Sequence, residues 1–246
     1  MADIWLVGLN PILGLLNQDP ARIIEIKLGS ERRDRQTQEI EALARAAGIG
    51  VQRVEAGFLS KVADGAVHQS AAARIRAQKD FDETDVDALI EASARPALLL
   101  VLDQVTDPHN LGAAMRTALA AGAQAVVIPK DHAAALTPAA RKAAAGAAEL
   151  LPLVRVTNLA RALDRFSESG IWLFGAAGEG TQSLFKTDLR GPVALVLGSE
   201  GEGMRRLTRD KCDALVHIPM PGGMESLNVS VACGICLFEA VRQRAM

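Results

Sequence analysis

Short apolar runs alternate with stretches of helical periodicity along the whole chain, and the alternation changes character near residue 97. Before it, the pattern predicts a helix over 11–16, a strand over 22–28, a helix over 33–47, and strands over 51–55 and 68–75, which together make a small α/β unit. Within the second helix Ile40, Leu43, Ala44 and Ala47 fall on one stripe, and Gly48 stops it. After it, apolar runs at 98–102, 125–128, 151–156, 171–174, 193–197 and 214–218 are separated by helical stretches, and a last helix covers 229–242. That rhythm predicts a parallel sheet with helices on its faces. Between the two patterns lies 78–96, an acidic stretch with little to bury, a short helix over 86–92 and a closing Pro96. The expected organisation is therefore a domain over 1–77, a linker over 78–96 and a second domain over 97–246.

Ligands of open parallel sheets gather beyond the carboxyl ends of the strands, and three loops there are unusual. The first, Asp103 to Gly112, leads into a helix carrying Met115, Arg116, Leu119 and Ala120. Asn110 suits either a helix cap or a functional role, and His109 beside Asp107 suits a turn built on Asp-Pro better than a dyad. Arg116, on a helix otherwise rich in Ala, Leu and Gly, must reach either solvent or an anionic partner. The second loop is Gly198-Ser199-Glu200-Gly201-Glu202-Gly203. Its glycines let a backbone approach a ligand closely, but neither it nor Gly178-Glu179-Gly180 continues into a dinucleotide fingerprint, and no phosphate-loop motif occurs. Glu200 and Glu202 would repel a phosphate, so a positively charged cofactor suits the loop better. The third, Pro219 to Asn228, runs into the C-terminal helix, where Ser226 and Asn228 are candidate caps.

Bulk properties narrow the class without choosing it. The 246 residues are 49% hydrophobic with a mean hydropathy of +0.15, and no apolar run reaches the ~20 residues of a membrane-spanning helix. Asp3 stands where a signal peptide wants basic charge, so a cytoplasmic protein is expected, with no part for a bilayer. Cys212, Cys233 and Cys236 are too few for a disulfide framework; the C-x-x-C pair sits in an apolar run with no second ligand pair, so packing is expected and no metal. A net charge of −2 argues against a nucleic-acid partner until its distribution is considered: six acidic residues fall in 78–96. Local basic clusters remain at Arg32, Arg33 and Arg35 and at Arg205, Arg206, Arg209 and Lys211, each equally well read as a solvated helix face.

Taken in order, Asn110 with Arg116, the run 198–203, and Ile218-Pro219 followed by Ser226-Leu227-Asn228-Val229-Ser230-Val231-Ala232 resemble the three motifs of the SpoU/TrmH (SPOUT) RNA 2′-O-methyltransferases. Further runs at 105–112, 127–131, 152–160 and 234–244, with Gly65-Ala66-Val67-His68-Gln69, are similar to the branch that methylates bacterial large-subunit rRNA. Two places depart from that pattern: 221–225 differs from an Ala-Gly-Ser type of loop, and Ser70 stands where a glycine is expected after His68-Gln69.

The resemblance implies what periodicity alone does not. The C-terminal domain is expected to hold a deep trefoil knot, a rare topology, and the N-terminal unit to be an L30e-like RNA-binding fold. A homodimer is implied, for which the surplus apolar surface at Val231, Ile235 and Phe238 is suited. The implied reaction moves a methyl group from S-adenosylmethionine, leaving S-adenosylhomocysteine, to the ribose 2′-hydroxyl of a guanosine in the P loop of 23S rRNA, presented as naked rRNA or a large-subunit assembly intermediate. Asn110, Arg116, Glu200, Ser226 and Asn228 would be catalytic, with Glu200 orienting Asn110 and Arg116. Gly175, Gly198, Glu200, Gly201, Ile218, Pro219, Leu227 and Asn228 would hold the cofactor. The family mechanism makes Arg116 the base, against the rule that guanidinium stays protonated; the alternative makes it a phosphate clamp, with the proton leaving to phosphate or water. Rival readings are the same chemistry on tRNA, against which the N-terminal unit weighs, a catalytically silent RNA-binding protein, and a nicotinamide-dependent oxidoreductase, which lacks its glycine fingerprint.

Overall fold

A strand covered by helices on both faces has no polar side to present, and Leu98-Leu99-Leu100-Val101-Leu102 carries that signature. The computed structural model describes residues 3–65 and 67–245; Ala66 of the 65–69 run lies outside the described residues. The chain separates into two units, one of residues 3–79 with Ala145–Leu150, the other of residues 80–144 and 151–245.

The first unit runs β1 (Asp3–Val7), α1 (Leu9–Gln18), β2 (Ile23–Gly29), α2 (Arg35–Ala46), β3 (Gly50–Val54), α3 (Ala56–Ala63) and β4 (Ala71–Arg76). Its sheet has the order β1-β4-β2-β3, with β2 and β3 parallel and β4 antiparallel to both its neighbours. Ile12, Leu15, Ile26, Leu28, Ile40 and Ala44 form the core beneath α1 and α2. Asp34 caps α2 in a reciprocal box with Thr37. The periodicity missed β1 and α3, and the expected strand over 68–75 begins only at Ala71. The three residues before it turn instead: Gln69 and Ser70 have φ of 49° and 63°, and His68 Nδ1 accepts the Ser70 N–H at 3.1 Å.

The second unit runs α4 (Val86–Glu91), β5 (Leu98–Asp103), α5 (Pro108–Ala121), β6 (Ala125–Pro129), α6 (Pro138–Ala144), β7 (Leu153–Val156), α7 (Leu159–Glu168), β8 (Trp172–Ala176), β9 (Gln182–Ser183), β10 (Val193–Gly198), α8 (Arg206–Asp210), β11 (Ala214–His217) and α9 (Val229–Arg244). The sheet order is β7-β6-β5-β10-β8-β11-β9, parallel throughout. Chain order reverses at β5: β6 and β7 add to one side, β10, β8 and β11 to the other. Such a switch point leaves a crevice at the carboxyl ends. The acidic segment packs on the core of this unit, because Phe81, Val86 and Leu89 join it while Arg165 bonds Glu83 O and Asp87. Among the described residues no helix is long and apolar enough to cross a membrane.

One close approach and one ordinary contact join the helices near the crevice. A Cβ on Gly112 of α5 would lie 2.2 Å from Ala140 O of α6, so only glycine lets the two helices meet there. Gly234 of α9 faces Thr117 of α5 at 3.6 Å on the same measure. Cys233 and Cys236 are fully buried, and burial pushes both thiols up, Cys236 to about 12.

Candidate active site

Because β10 lies directly between β5 and β8, the loops that follow β5 and β10 are neighbours, and β11 brings its own loop to the same crevice. Asp107 Oδ1 accepts the His109 N–H and Pro108 opens α5, so Asp107 is the cap and Asn110 is not. That frees the Asn110 amide to face out of the first turn. Asn228 caps α9, its Oδ1 accepting from Ser230 N at 3.0 Å and Val231 N at 3.4 Å. Its Nδ2 is therefore directed the other way, and donates to Asn110 Oδ1 at 3.0 Å and to Glu200 Oε1 at 2.5 Å. The same carboxylate oxygen accepts the Val229 N–H at 3.1 Å and, at the limit of a hydrogen bond, Asn110 Nδ2 at 3.5 Å. Residues 28, 90 and 118 apart in sequence thus converge on one oxygen and one amide.

Glu200 is held out by its loop. Ser199 and Gly203 exchange two backbone hydrogen bonds, at 3.1 and 3.0 Å, which close the loop on itself with Glu200 near its tip. A Cβ on Gly198 would lie 2.0 Å from Gly203 C, so the closure needs glycine at its start.

Beside this cluster is a cleft of about 370 Å³, within the range of small-molecule sites. Of the expected cofactor residues, Gly198, Glu200, Gly201, Ile218 and Leu227 line it, and so does Ser226; Pro219 and Asn228 do not. Gly175 does not line it either; a Cβ there would meet Leu215, Met204 and Cys212 within 3.0 Å. Burial pushes the Cys212 thiol up to about 12, which removes it as a nucleophile. Sequence reasoning missed Glu179, Arg209 and Glu225 on the wall. The run Gly178-Glu179-Gly180 was the available signal: Gly180 crosses so close to Val216 and Leu215 that a Cβ would lie 2.7 Å from backbone, and its carbonyl accepts from His217 Nδ1 at 2.8 Å.

The cleft is acidic. Glu179, Glu200, Glu202 and Glu225 line it, and Arg209, the one cation among the described lining residues, is already ion-paired with Glu179. A phosphate-bearing cofactor would meet repulsion there, whereas a sulfonium gains. The glycine-cradled backbone and this charge balance fit S-adenosylmethionine.

Arg116 stands apart. It is exposed, does not line the cleft, and makes no hydrogen bond or ion pair among the described residues. Six residues beyond Asn110, it lies about 9 Å further along α5 and roughly 120° around it, so Glu200 orients Asn228 and Asn110 rather than Arg116. Ser226 likewise makes no hydrogen bond to the cluster and caps nothing.

Known proteins resemble the chain over nearly its whole length. The SpoU rRNA methylase family model matches residues 97–238, and a model described as RNA 2′-O ribose methyltransferase substrate binding matches residues 5–81. The chain is 53% identical over 238 residues, 96% of each chain, to the 23S rRNA (guanosine-2′-O-)-methyltransferase RlmB of Haemophilus influenzae. It is 50% identical over 244 residues, 99% of each chain, to that of Photobacterium profundum. The solved structure of the SpoU methyltransferase AviRb from Streptomyces viridochromogenes with AdoMet superposes with a TM-score of 0.72 at 25% identity, covering 99% of this chain and 91% of that one.

Proposed function

The chain belongs to the SpoU rRNA methylase family, and from that premise we propose that it transfers a methyl group from S-adenosylmethionine to the ribose 2′-hydroxyl of a guanosine in 23S rRNA. The observation that supports this most is the meeting of Asn110, Glu200 and Asn228 at the edge of an acidic, glycine-cradled cleft. Identity of about half over nearly the full length of relatives named for that reaction gives the substrate.

When bound, the cofactor supplies an electrophilic methyl group on a sulfonium. The chain's part is positioning and charge, as an in-line displacement demands. Backbone around Gly198, Ile218 and Leu227 holds the cofactor, and the carboxylates that line the cleft favour its positive charge. Asn228, fixed at one end by the α9 cap and at the other by Glu200, holds the acceptor ribose together with Asn110. Arg116, exposed and with no acidic partner among the described residues, clamps a substrate phosphate, and the hydroxyl proton leaves to phosphate or water. Ser226 contributes to the wall on which the methyl donor lies.

Residues 1–77 form the rRNA-holding domain and 97–246 the catalytic one, joined through 78–96. The second domain carries a trefoil knot, and the protein works in the cytoplasm as a homodimer built on the exposed Val231 and Phe238 of α9. The target is the P-loop guanosine, reached in rRNA or in an assembly intermediate. The test is methyl incorporation from labelled donor into unmodified 23S rRNA and, separately, into tRNA. Label in 23S rRNA that vanishes with Asn110→Ala is expected; label only in tRNA, or none with either RNA, refutes the proposal.

A further inference from the structure

The loop that carries Glu200 begins and ends on one buried residue, Asp103. At its start, Gly198 is the register partner of Asp103 across the β5–β10 pair. At its end, Asp103 Oδ2 accepts the backbone N–H of Arg205 at 2.8 Å, while Oδ1 accepts Arg205 Nε at 2.8 Å and lies 2.7 Å from Nη2. Asp103 has no accessible surface, and Arg205 is its partner on both oxygens. A buried carboxylate is tolerated when its acceptor positions are filled by a charged donor, and a guanidinium fork fills them with fixed geometry. Asp103 is also the last residue before the Asn110 loop, which leaves it through Gln104 at φ 59°, the left-handed region. One residue therefore stands at the exit of the loop that presents Asn110, and its carboxylate fixes the return of the loop that presents Glu200.

We infer that Asp103 and Arg205 are positioning residues for methyl transfer, acting through Glu200 on the Asn110–Asn228 amide pair. The inference rests on the reading under Proposed function. Neither residue lines the cleft, so their effect on the reaction is indirect. Nearby alternatives for the carboxylate do not compete: Arg206 pairs with Asp210 and Arg209 with Glu179. The charge that Asp103 needs is supplied from the residue whose placement fixes the loop. Replacing Arg205 by lysine keeps a cation and the backbone N–H but removes the planar fork, so the loop keeps its anchor point and loses its orientation.

The test is a double-mutant cycle with Glu200 on the full-length protein, with thermal melting measured alongside. Arg205→Lys is expected to lower the single-turnover methyl-transfer rate about 10-fold or more, in line with the sensitivity of aligned displacements to small misplacements. In a Glu200→Gln background the same change is expected to lower it by less than about 2-fold, because the two residues share one effect. Asp103→Asn should behave alike; if it fails to fold, Arg205→Lys carries the cycle. The side-chain amide signals of Asn110 and Asn228 in NMR spectra give a readout free of activity: Arg205→Lys should move them towards their Glu200→Gln positions. Independent, multiplying rate effects, or amide signals left in place, overturn the inference. An amide shift seen in Arg205→Lys, with a wild-type protein that methylates no RNA, overturns the proposed function instead.

Discussion

Asn228 divides its amide between two tasks: its oxygen caps α9, and its nitrogen lies 2.5 Å from Glu200 Oε1. Substitutions at this position separate the tasks. Asn228→Ala loses both, and should destabilise the fold by about 1 kcal/mol as well as abolish turnover. Asn228→Asp keeps an oxygen for the cap but sets a second carboxylate against Glu200, so one of the pair takes up a proton more readily than usual. Its melting temperature should stay near wild type while activity falls at neutral pH and partly recovers as pH drops below about 6. Melting curves and a pH–rate profile check both halves.

Glu200→Gln removes a negative charge beside the expected sulfonium. The affinity for S-adenosylmethionine should fall by several-fold, on the order of 1 kcal/mol for a partly exposed charge, and that for S-adenosylhomocysteine, which lacks the charge, should change less. Calorimetric titration of both ligands into both proteins measures the ratio.

Arg116 lies off the cleft wall. Arg116→Ala should leave cofactor affinity unchanged, raise KM for RNA, and reduce the salt dependence of RNA binding by about one counterion. Equal salt slopes for the two proteins would remove the phosphate-clamp role.

Ser70 holds φ at 63° and its side chain makes no hydrogen bond among the described residues. Ser70→Gly should therefore stabilise the first unit by about 1 kcal/mol, since a side chain in the left-handed region is unfavourable by that order. Chemical denaturation followed by fluorescence of Trp5, with Trp172 replaced, would register it.

Glu239 is buried on α9. Hydrogen bonds from Arg242 hold its pKa below the ordinary carboxylate range, against the upward push of burial, and Gln243 adds to the pull. A lowered folded-state pKa contributes stability that is present above the unfolded value of about 4.3 and lost as pH falls through the folded value. Glu239→Gln should flatten the fall of melting temperature below roughly pH 4.3 while lowering stability at pH 7.

Much of this was legible in the residues themselves. Parallel strands announce themselves as runs without a polar face, which is why β5, β6 and β10 were placed within a residue or two. Gly48, at φ 70°, marked the end of α2 by backbone chemistry. β1 was hidden because Ile4 to Val7 runs straight into the apolar α1, so no change of period separates them. His68 to Ser70 was mistaken for strand because two left-handed non-glycine residues carry no sequence signal. At the site, Asn110, Glu200 and Asn228 were recognisable by their motifs, but not that Asn228 both caps and donates, nor that Asp107 takes the cap from Asn110. Asp103 reads as the first residue of a loop; its role depends on β10 lying beside β5 and on a partner 102 residues away.

The position of the transferred methyl group distinguishes a ribose-directed site from a base-directed one. Unmodified 23S rRNA treated with the protein and labelled donor should, after complete alkaline hydrolysis, keep the label in a dinucleotide resistant to cleavage after a single guanosine, because a methylated 2′-hydroxyl cannot attack the adjoining phosphate. Label recovered wholly in mononucleotides would place the methyl on a base and contradict the assignment of Asn110, Glu200 and Asn228 to a ribose-directed site.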